Sequence, residues 1–382
     1  MRIFLSAGEP SGDLHGSNLI RALRARTPEL ECVGYGGHQM EGAGARLLFP
    51  LAGMPVMWFR DAVSHVRTFF RLIREADHYF RESRPDAVVL IDYPGLHWWL
   101  ARQAHRHGIP VFYFVPPQLW AWAGWRARKM RRWVDHVLCT LPFEVEWYSQ
   151  RGVAAHYVGH PYFDELNSNV LDAQFLDEQR AKTGRIVAIL PGSRRQELEY
   201  NLASQLRAAQ ILHREFPDVR FLVAAFDEDQ SNFVSHAAEE WQIPIEVHNG
   251  RTAEIIHLAT ACLAVSGSVS LELLHALVPS LVLYRVHRVG WLLSRLLKTS
   301  RWISLVNLLA NEEIFPEFLS RKCPAEAMAE QLARWLRDDN VRQCVREKLF
   351  LLREEVGHSG ACDRAADYVM QQLSPSSPLP IS

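Results

Sequence analysis

The sequence predicts an α/β protein with two doubly wound parallel sheets, each covered by helices. Short apolar segments alternate with helical patterns along two stretches of the chain, and polar sequence at 165–185 separates these stretches. The apolar segments contain few polar residues, as in Ala-Val-Val-Leu-Ile at 87–91, which is typical of parallel strands covered on both faces. A chain of 382 residues is long enough for two domains with separate cores.

The first stretch predicts five strands and three long helices. The strands lie at 2–7, 31–35, 87–92, 110–115 and 134–140. The helices lie at 14–25, 61–82 and 96–107, where apolar residues recur at helical spacing. Because strands and helices alternate, we expect parallel pairing, with the carboxyl ends of the strands at one edge of the sheet.

The second stretch repeats this alternation. Its strands are predicted at 186–190, 219–226, 245–247, 262–265 and 280–285, and the chain from 324 to 373 is predicted to be helical. The expected organisation is a first Rossmann-like domain at 1–168, a linker at 169–184, a second Rossmann-like domain at 185–325, C-terminal helices at 326–374 and a disordered tail at 375–382.

Composition and charge exclude several classes of protein. The net charge of −1 gives no overall field that would favour nucleic acid. The six cysteines show no metal-ligand spacing and are expected to be reduced thiols. No apolar run reaches the roughly 18 residues that span a bilayer, and the N-terminal apolar run is too short for a signal peptide. A soluble protein is expected, with any membrane contact made from its surface.

Ligands of doubly wound sheets bind beyond the carboxyl ends of the strands, so functional residues are expected there. In the first domain, Asp92 ends a strand and precedes Pro94-Gly95. It is a candidate general base, and the alternative is a cap for the next helix. Glycines, carboxylates and a hydroxyl also follow the first strand and suit contact with a sugar, although turn formation alone explains them equally well. These residues are Gly8, Glu9, Ser11, Gly12 and Asp13.

Two turns of the second domain carry polar residues of another kind. Ser193 and Arg194 follow the strand at 186–190, and an arginine there offers two parallel donors to phosphate oxygens. Gly267 and Ser268 begin a helix whose amino terminus suits a diphosphate, and Glu272 one turn later suits a ribose diol. The alternatives are an ordinary turn with solvated arginines and a capped helix with a surface glutamate.

Together these turns predict a nucleotide diphosphate sugar in the second domain and an acceptor and base in the first, facing each other across a cleft. This is the layout of a GT-B glycosyltransferase. The sequence also resembles the lipid-A-disaccharide synthase family over roughly residues 1–320, through an ordered set of motifs. The set comprises Gly8-Glu9-x-Ser11-Gly12-Asp13, Ile91-Asp92-x-Pro94, Trp120-Ala121-Trp122, Leu141-Pro142-Phe143-Glu144, Gly159-His160-Pro161, Leu190-Pro191-Gly192-Ser193-Arg194, Ser266-Gly267-Ser268 with Leu271-Glu272, Tyr284-Arg285 and Asn307-Leu308-Leu309.

The resemblance implies transfer of 2,3-diacylglucosamine from UDP to the 6-hydroxyl of 2,3-diacylglucosamine 1-phosphate. The anomeric centre inverts to give a β-1,6 disaccharide, without a metal or another cofactor. Asp92 is then the base, Arg194 binds the diphosphate, and Gly8 to Asp13 face the acceptor. The other expected donor-site residues are Ser193, Gly267, Ser268, Glu272, Tyr284, Arg285 and Asn307. The expected location is cytoplasmic, peripheral at the inner membrane, and the family allows a homodimer that exchanges C-terminal parts.

Five positions depart from the family pattern. Gly95 and His97 stand where an aspartate and an asparagine are usual. Pro116 and Pro117 lie where serines surround one proline, and Ala123 stands where an arginine follows the Trp-Ala-Trp motif. These changes surround the acceptor side more than the UDP side, so they bear on the acyl pattern and the acceptor.

A lipid substrate also requires a route from the membrane. The segment 55–82 combines apolar residues at helical spacing with arginines, which suits an anionic bilayer surface and acyl chains; the alternative is a helix with one face in the core. The residues expected to contact lipid are Met57, Trp58, Phe59, Phe69 and Phe70. A second patch, with tryptophans and basic residues at 120–133, suits a membrane or single-stranded nucleic acid, but the balanced charge disfavours nucleic acid.

Other functions are compatible with parts of the pattern. Another GT-B enzyme acting on UDP-sugars, such as a 2-epimerase or a transferase with a soluble acceptor, shares the nucleotide features but needs no apolar entrance. A non-catalytic surface binder is a further alternative. Asp227-Glu228-Asp229 matches the DxD motif of metal-dependent glycosyltransferases, but carboxylates are also common where a helix starts. No metal site is expected.

Overall fold

The computed structural model describes residues 1–53, 62–192, 194–241, 243–265, 267–285, 301–320 and 323–374. The chain forms two compact units. The first contains Met1–Asp164 together with the chain from His358 onward, and the second contains Glu165–Gly357. Each unit has its own parallel sheet, so the prediction of two Rossmann-like sheets is confirmed.

The first unit contains a parallel sheet of seven strands within the described residues, in the order β3-β2-β1-β4-β5-β6-β7. The strands are β1 (Arg2–Ala7), β2 (Glu31–Tyr35), β3 (Arg46–Phe49), β4 (Ala87–Ile91), β5 (Val111–Phe114), β6 (His136–Cys139) and β7 (Ala155–Tyr157). The helices that begin in this part of the chain are α1 (Pro10–Arg26), α2 (His38–Gly42), α3 (Ala62–Ser83), α4 (Pro94–Arg106), α5 (Leu119–Trp122), α6 (Ala127–Trp133), α7 (Pro142–Ser149) and α8 (Tyr162–Ser168).

The second unit contains a parallel sheet of six described strands, in the order β10-β9-β8-β11-β12-β13. The strands are β8 (Ile186–Leu190), β9 (Arg220–Ala225), β10 (Ile245–Asn249), β11 (Ala261–Val265), β12 (Ser280–Arg285) and β13 (Glu317–Ser320). The described helices are α9 (Ala173–Arg180), α10 (Arg195–Glu215), α11 (Glu228–Trp241), α12 (Thr252–Leu258), α13 (Val269–His275), α14 (Leu305–Ala310), α15 (Ala325–Arg337) and α16 (Asp339–Val356).

The central strands of the first unit are buried on both faces. Successive side chains of a strand point to opposite faces, so Val88 and Leu90 pack with α3 and α4, whereas Val89 and Ile91 pack with α1. This two-sided burial explains the almost wholly apolar sequence of β4, in which every residue is buried.

The last described helix, α17 (Ala361–Leu373), belongs to the first unit. It packs beside α1, and its buried residues Cys362, Ala365, Ala366 and Val369 join the core cluster there. Arg26 of α1 pairs with Asp363 at 2.9 Å and with Asp367 at 2.5 Å. The predicted C-terminal helices are therefore shared between the units, with α15 and α16 in the second and α17 in the first.

Among the described elements, three strands were not anticipated, and a helix lies within the expected linker. β3, β7 and β13 lie at sheet edges and are only partly buried, so their sequences lack the continuous apolar run used to predict strands. The expected linker contains α9, whose Phe175 and Leu176 are buried. The expected tail at 375–382 lies outside the described residues. None of the described helices combines the length and hydropathy needed to cross a membrane.

Candidate functional site

The candidate residues of the first unit lie at the switch point of its sheet. β1 and β4 are neighbours, and the chain leads from β1 towards one edge and from β4 towards the other. Gly8 and Glu9 directly follow β1, and Asp92 directly follows β4. Open parallel sheets bind their ligands at this position because the diverging connections leave a crevice beyond the strand ends.

Asp92 has an unusual backbone conformation. Its φ is +54°, and that of Tyr93 is +45°, so two consecutive non-glycine residues are left-handed. Such residues cost about 1–3 kcal/mol each and persist only where their surroundings enforce them. α4 begins at Pro94 with Tyr93 as its N-cap residue, and no side chain provides a cap hydrogen bond. The alternative role of Asp92 as the helix cap is therefore not what the structure shows.

The environment of Asp92 favours its protonated form more than water does. Burial raises the pKa of this carboxyl to about 6, and the negative charge of Glu9 adds to the rise, while the Tyr93 N–H opposes it. The residue as a whole is only partly buried. A carboxylate with a pKa near neutrality is a better general base than an ordinary aspartate.

The turn after β1 divides into accessible and structural residues. Ser11 is exposed and Glu9 is partly buried, so both are accessible to a ligand. Gly8 lies under the ring of Tyr93, where a Cβ would overlap the ring. Asp13 is buried, and its carboxylate accepts the N–H groups of α2 and of the residue before it, so the structure accounts for Asp13 without a ligand. Gly12 is also buried.

The second unit has an equivalent switch point between β8 and β11. After β8, Gly192 has a φ of +102° and a Cβ there would lie 2.6 Å from Glu197 Oε2, so this turn requires glycine. Arg194 is the N-cap residue of α10, and its side chain is 77% exposed although Nη1 donates to Glu197 Oε1 at 3.2 Å. Ser193 lies outside the described residues.

The turn after β11 leads into α13. Gly267 and Ser268 are exposed, and Ser268 is the N-cap residue of this helix. A Cβ on Gly267 would meet nothing within 4 Å, so its neighbours leave open space there. Glu272 is partly buried, and burial of Glu165 raises the pKa of that carboxyl, with the charge of Glu272 adding to the rise.

The side chains of Arg285 and Asn307 form hydrogen bonds with other residues of the protein. Arg285 at the end of β12 donates from Nη1 to the Tyr200 carbonyl at 2.8 Å, and its N–H donates to Asn201 Oδ1 at 3.1 Å. Asn307 is fully buried: its Nδ2 donates to Phe315 O and Glu317 Oε1, and its Oδ1 accepts two backbone N–H groups. Asn307 thus orders the turn before β13. Tyr284 is partly buried.

Two of the other motifs form a buried contact. Trp120 Nε1 donates to Glu144 Oε1 at 3.0 Å, and Glu144 Oε2 accepts the N–H groups of Thr140 and Leu141 at 3.1 Å each. Burial raises the pKa of Glu144 to about 7, and these hydrogen bonds oppose the rise. The contact joins the start of α7 to α5.

The residues expected to contact lipid are only partly described. Met57, Trp58 and Phe59 lie outside the described residues. Phe69 on α3 is partly buried, and its ring lies 6.4 Å from that of Tyr93. Phe70 is 56% exposed, and Arg67 and Arg71 beside it are exposed as well. Residues 67–82 therefore present one face to the core and one face to solvent, with an exposed phenylalanine.

The five residues that depart from the family pattern differ in how deeply they are buried. Gly95 is exposed and a Cβ there would meet nothing within 4 Å. Pro116 is buried, whereas Pro117 and Ala123 are partly buried. His97 is fully buried and contacts the backbone of Asp92, a role that the sequence did not reveal. Its only signal in the sequence was that it departs from the usual residue.

The Asp-Glu-Asp segment begins α11. Asp227 Oδ1 accepts the Gln230 N–H at 2.8 Å, which is the geometry of a helix cap. Within the described ranges, no three histidine, cysteine, aspartate or glutamate residues are grouped so that they could hold a metal ion.

Known proteins resemble the chain in sequence and in fold. The lipid-A-disaccharide synthetase family model matches residues 3–369. Lipid-A-disaccharide synthase of Trichlorobacter lovleyi is 32% identical over 376 residues, which cover 98% of each chain. UDP-GlcNAc 2-epimerase of Neisseria meningitidis, solved with UDP-GlcNAc, matches with a TM-score of 0.64 at 10% identity, over 98% of this chain and 99% of that one. MurG of Acinetobacter baumannii matches with a TM-score of 0.59 at 14% identity, over 97% and 99%.

At these low identities the solved structures show the fold alone, and together with the two parallel sheets they confirm the GT-B-like fold that the sequence predicted. The sequence match is of a different kind, because it extends over nearly the whole chain and both units. The chain therefore belongs to the lipid-A-disaccharide synthetase family and is a GT-B glycosyltransferase of lipid A biosynthesis.

Proposed function

We propose that the enzyme transfers a 2,3-diacylglucosamine unit from UDP to the 6-hydroxyl of 2,3-diacylglucosamine 1-phosphate, with inversion at the anomeric carbon. Family membership supports the reaction class. The single observation that carries the mechanism is Asp92, a partly buried carboxyl at a sheet switch point whose pKa is raised to about 6. The donor occupies the second unit and the acceptor the first.

In this mechanism Asp92 removes the proton of the acceptor 6-hydroxyl. The oxygen attacks the anomeric carbon, the bond from that carbon to the UDP oxygen breaks, and UDP leaves with the electron pair. A single in-line displacement inverts the configuration, so one base is sufficient and no covalent intermediate forms. At pH 7 a carboxyl with a pKa of about 6 is mostly ionised and retains appreciable basicity.

The leaving UDP gains negative charge, which the second unit can stabilise. Arg194 lies at the amino terminus of α10, a helix of 21 residues, directly after the glycine turn. Its guanidinium donates two parallel hydrogen bonds to phosphate oxygens, and the unpaired N–H groups of the helix start add positive potential. Gly267 and Ser268 provide a second exposed turn at the same switch point, where the diphosphate lies.

The acylated substrates require the protein to work at a membrane surface. Phe70 exposes 56% of its area between the exposed Arg67 and Arg71, a combination that suits acyl chains and anionic headgroups. Sedimentation with vesicles of anionic and of neutral lipid measures this contact. Phe70→Ala is expected to weaken binding to anionic vesicles, and equal binding of the variant and the wild type would contradict the contact.

Product analysis tests the proposed reaction. The purified enzyme is incubated with UDP-2,3-diacylglucosamine and the acylated 1-phosphate acceptor, and in parallel with unacylated UDP-glucosamine derivatives. We expect a β-1,6 disaccharide and UDP release only when both acylated substrates are present. Asp92→Asn should abolish disaccharide formation and UDP release. Turnover of unacylated donor without acceptor, with epimerisation at C2, would instead establish the 2-epimerase alternative that the shared fold keeps open.

A further inference from the structure

The main-chain carbonyl of Asp92 is held by two side chains from different elements. Tyr113 on β5 donates its hydroxyl to this oxygen at 2.6 Å, and His97 Nδ1 on α4 contacts the same oxygen at 2.6 Å. The other ring nitrogen of His97, Nε2, lies 3.0 Å from Ser6 Oγ on β1. Ser6, His97 and Tyr113 are all completely buried. We call these four residues the Asp92 clamp.

The geometry fixes the proton positions in the clamp. A carbonyl oxygen only accepts hydrogen bonds, so Nδ1 of His97 must carry a proton. Burial lowers the pKa of His97 to about 3, and the ring is therefore neutral at physiological pH. Nε2 then has a lone pair that accepts a hydrogen bond from the Ser6 hydroxyl. The Ser6 hydroxyl thereby satisfies Nε2 in the tautomer that the Asp92 carbonyl requires.

The clamp reaches the Asp92 carboxylate through one peptide group. The Asp92 carbonyl belongs to the same planar unit as the Tyr93 N–H, which is the group that lowers the pKa of the Asp92 carboxyl against the effect of burial. Because this unit is planar, hydrogen bonds that hold the Asp92 carbonyl also fix the direction of the Tyr93 N–H. The two left-handed residues need such restraint, because their conformation is intrinsically unfavourable.

We infer that His97 is a positioning residue that orients the Asp92 carboxylate through the Asp92–Tyr93 peptide group. The inference rests on the proposed role of Asp92 as the base. His97 touches neither the carboxylate nor a substrate directly. Its effect is to keep the base in the geometry needed for proton transfer, in which small displacements are costly.

Two substitutions separate the two contacts of His97. The Nδ2 of asparagine lies as far along the side chain as Nδ1 of histidine, so His97→Asn keeps a donor for the Asp92 carbonyl and loses the Ser6 contact. The Nε2 of glutamine matches the other ring nitrogen, so His97→Gln keeps a group beside Ser6 and loses the donor to Asp92. Both variants remove the imidazole, which makes each a control for the other.

We expect His97→Gln to lower kcat by about ten- to a hundredfold with little change in KM. We expect His97→Asn to keep most of the wild-type kcat. The acid limb of the kcat profile should also move to higher pH in His97→Gln alone, because the carboxylate loses the aimed Tyr93 N–H that favours its ionised form. Burial and Glu9, which raise the Asp92 pKa, are the same in both variants, and Tyr113 stays protonated since burial raises its pKa.

Equal losses in the two variants, or unchanged kcat in His97→Gln, would overturn the inference. If His97→Gln does not fold, nitrogen-15 chemical shifts of the histidine rings in the full-length wild type decide, with His97→Asn identifying the His97 signals. The Nδ1-protonated neutral ring is expected, and an Nε2-protonated ring would contradict the clamp.

Full activity of Asp92→Asn would contradict both the assignment of Asp92 as the base and this inference. An inactive Asp92→Asn together with indistinguishable His97 variants would contradict only the inference.

Discussion

Asp13 and Gly37 are joined by a buried hydrogen bond in which Asp13 Oδ1 accepts the Gly37 N–H at 2.7 Å. The same carboxylate accepts the N–H groups of Gln39 and Met40 at 3.1 Å each. These groups lie at the amino terminus of α2, where backbone donors lack partners within the helix. A residue expected to face a sugar thus connects α1 to α2.

Replacing Asp13 should therefore destabilise the protein. Asp13→Ala leaves three buried or partly buried N–H groups without this acceptor, and we expect a loss of about 2 kcal/mol in the free energy of unfolding, measured by chemical denaturation. Ser11→Ala is the control, because Ser11 is exposed on the same turn. Unchanged stability in Asp13→Ala, with acceptor affinity lost, would instead favour direct contact with the sugar.

Gly8 and Tyr93 should be energetically coupled. A Cβ on Gly8 would overlap the Tyr93 ring, so Gly8→Ala is expected to displace the ring and the adjacent Asp92 and to lower both stability and kcat. Tyr93→Ala removes the obstacle, so the double variant should be more stable than the sum of the single effects predicts. A double-mutant cycle on thermal midpoints measures this coupling, and strict additivity would exclude the contact.

The activity should fall at acid pH as Asp92 becomes protonated. Its pKa is raised to about 6, so kcat/KM should be full well above pH 6 and decline below it as the base is lost. Glu9→Gln removes a negative charge that contributes to the rise, and the acid limb should therefore move to lower pH. Glu29→Gln, at an exposed position, serves as the control. An identical limb in all three proteins would argue that Asp92 is not the titrating group.

Arg194 and Arg195 form a matched pair for testing UDP binding. Their side chains are 77% and 79% exposed, and each pairs with a glutamate on α10, at 3.2 and 3.1 Å. Only Arg194 belongs to the expected diphosphate site. Arg194→Ala should weaken UDP binding by about ten- to a hundredfold in calorimetry and slow the chemical step, whereas Arg195→Ala should change neither greatly. Equal effects would assign the loss to general surface charge.

Asn307 should act through stability. Asn307→Ala removes a fully buried amide that makes four hydrogen bonds, and about 3 kcal/mol of the free energy of unfolding should be lost. Asn249→Ala, at the exposed end of β10, is the control and should leave the midpoint unchanged. A normal denaturation midpoint in Asn307→Ala together with weakened UDP binding would support the donor-site role expected from the sequence.

The central strands were predictable because their physical signal is local. Strand β8 has the predicted bounds, because all five of its residues are apolar and buried, as expected of a strand covered on both faces. The partly exposed edge strands β3 and β13 carry no such signal and were missed. Turns after strands were equally readable, and this placed Asp92 and Arg194 at their respective switch points.

Function within those turns was harder to predict, because it depends on partners distant in the sequence. Asp13 and Glu9 look alike in the sequence, but the Asp13 carboxylate accepts the N–H groups of Gly37, Gln39 and Met40, whereas Glu9 is only partly buried. Asn307 matched a donor-site motif, yet its amide is satisfied by the turn before β13. His97 was noticed only as a departure, because its role depends on contacts with the Asp92 carbonyl and with the Ser6 hydroxyl, which lies 91 positions away in the sequence.

The sequence alone determined the family, the two parallel sheets and the turns that carry polar residues, because strand burial, helix periodicity and ordered motifs are written along the chain. Only the tertiary structure decided which polar side chains are consumed by the fold and which are accessible, and that Asp92 has a raised pKa and a clamped backbone. The reason is that burial and hydrogen-bond partnership are properties of neighbours in space, and here those neighbours come from β1, β5 and α4.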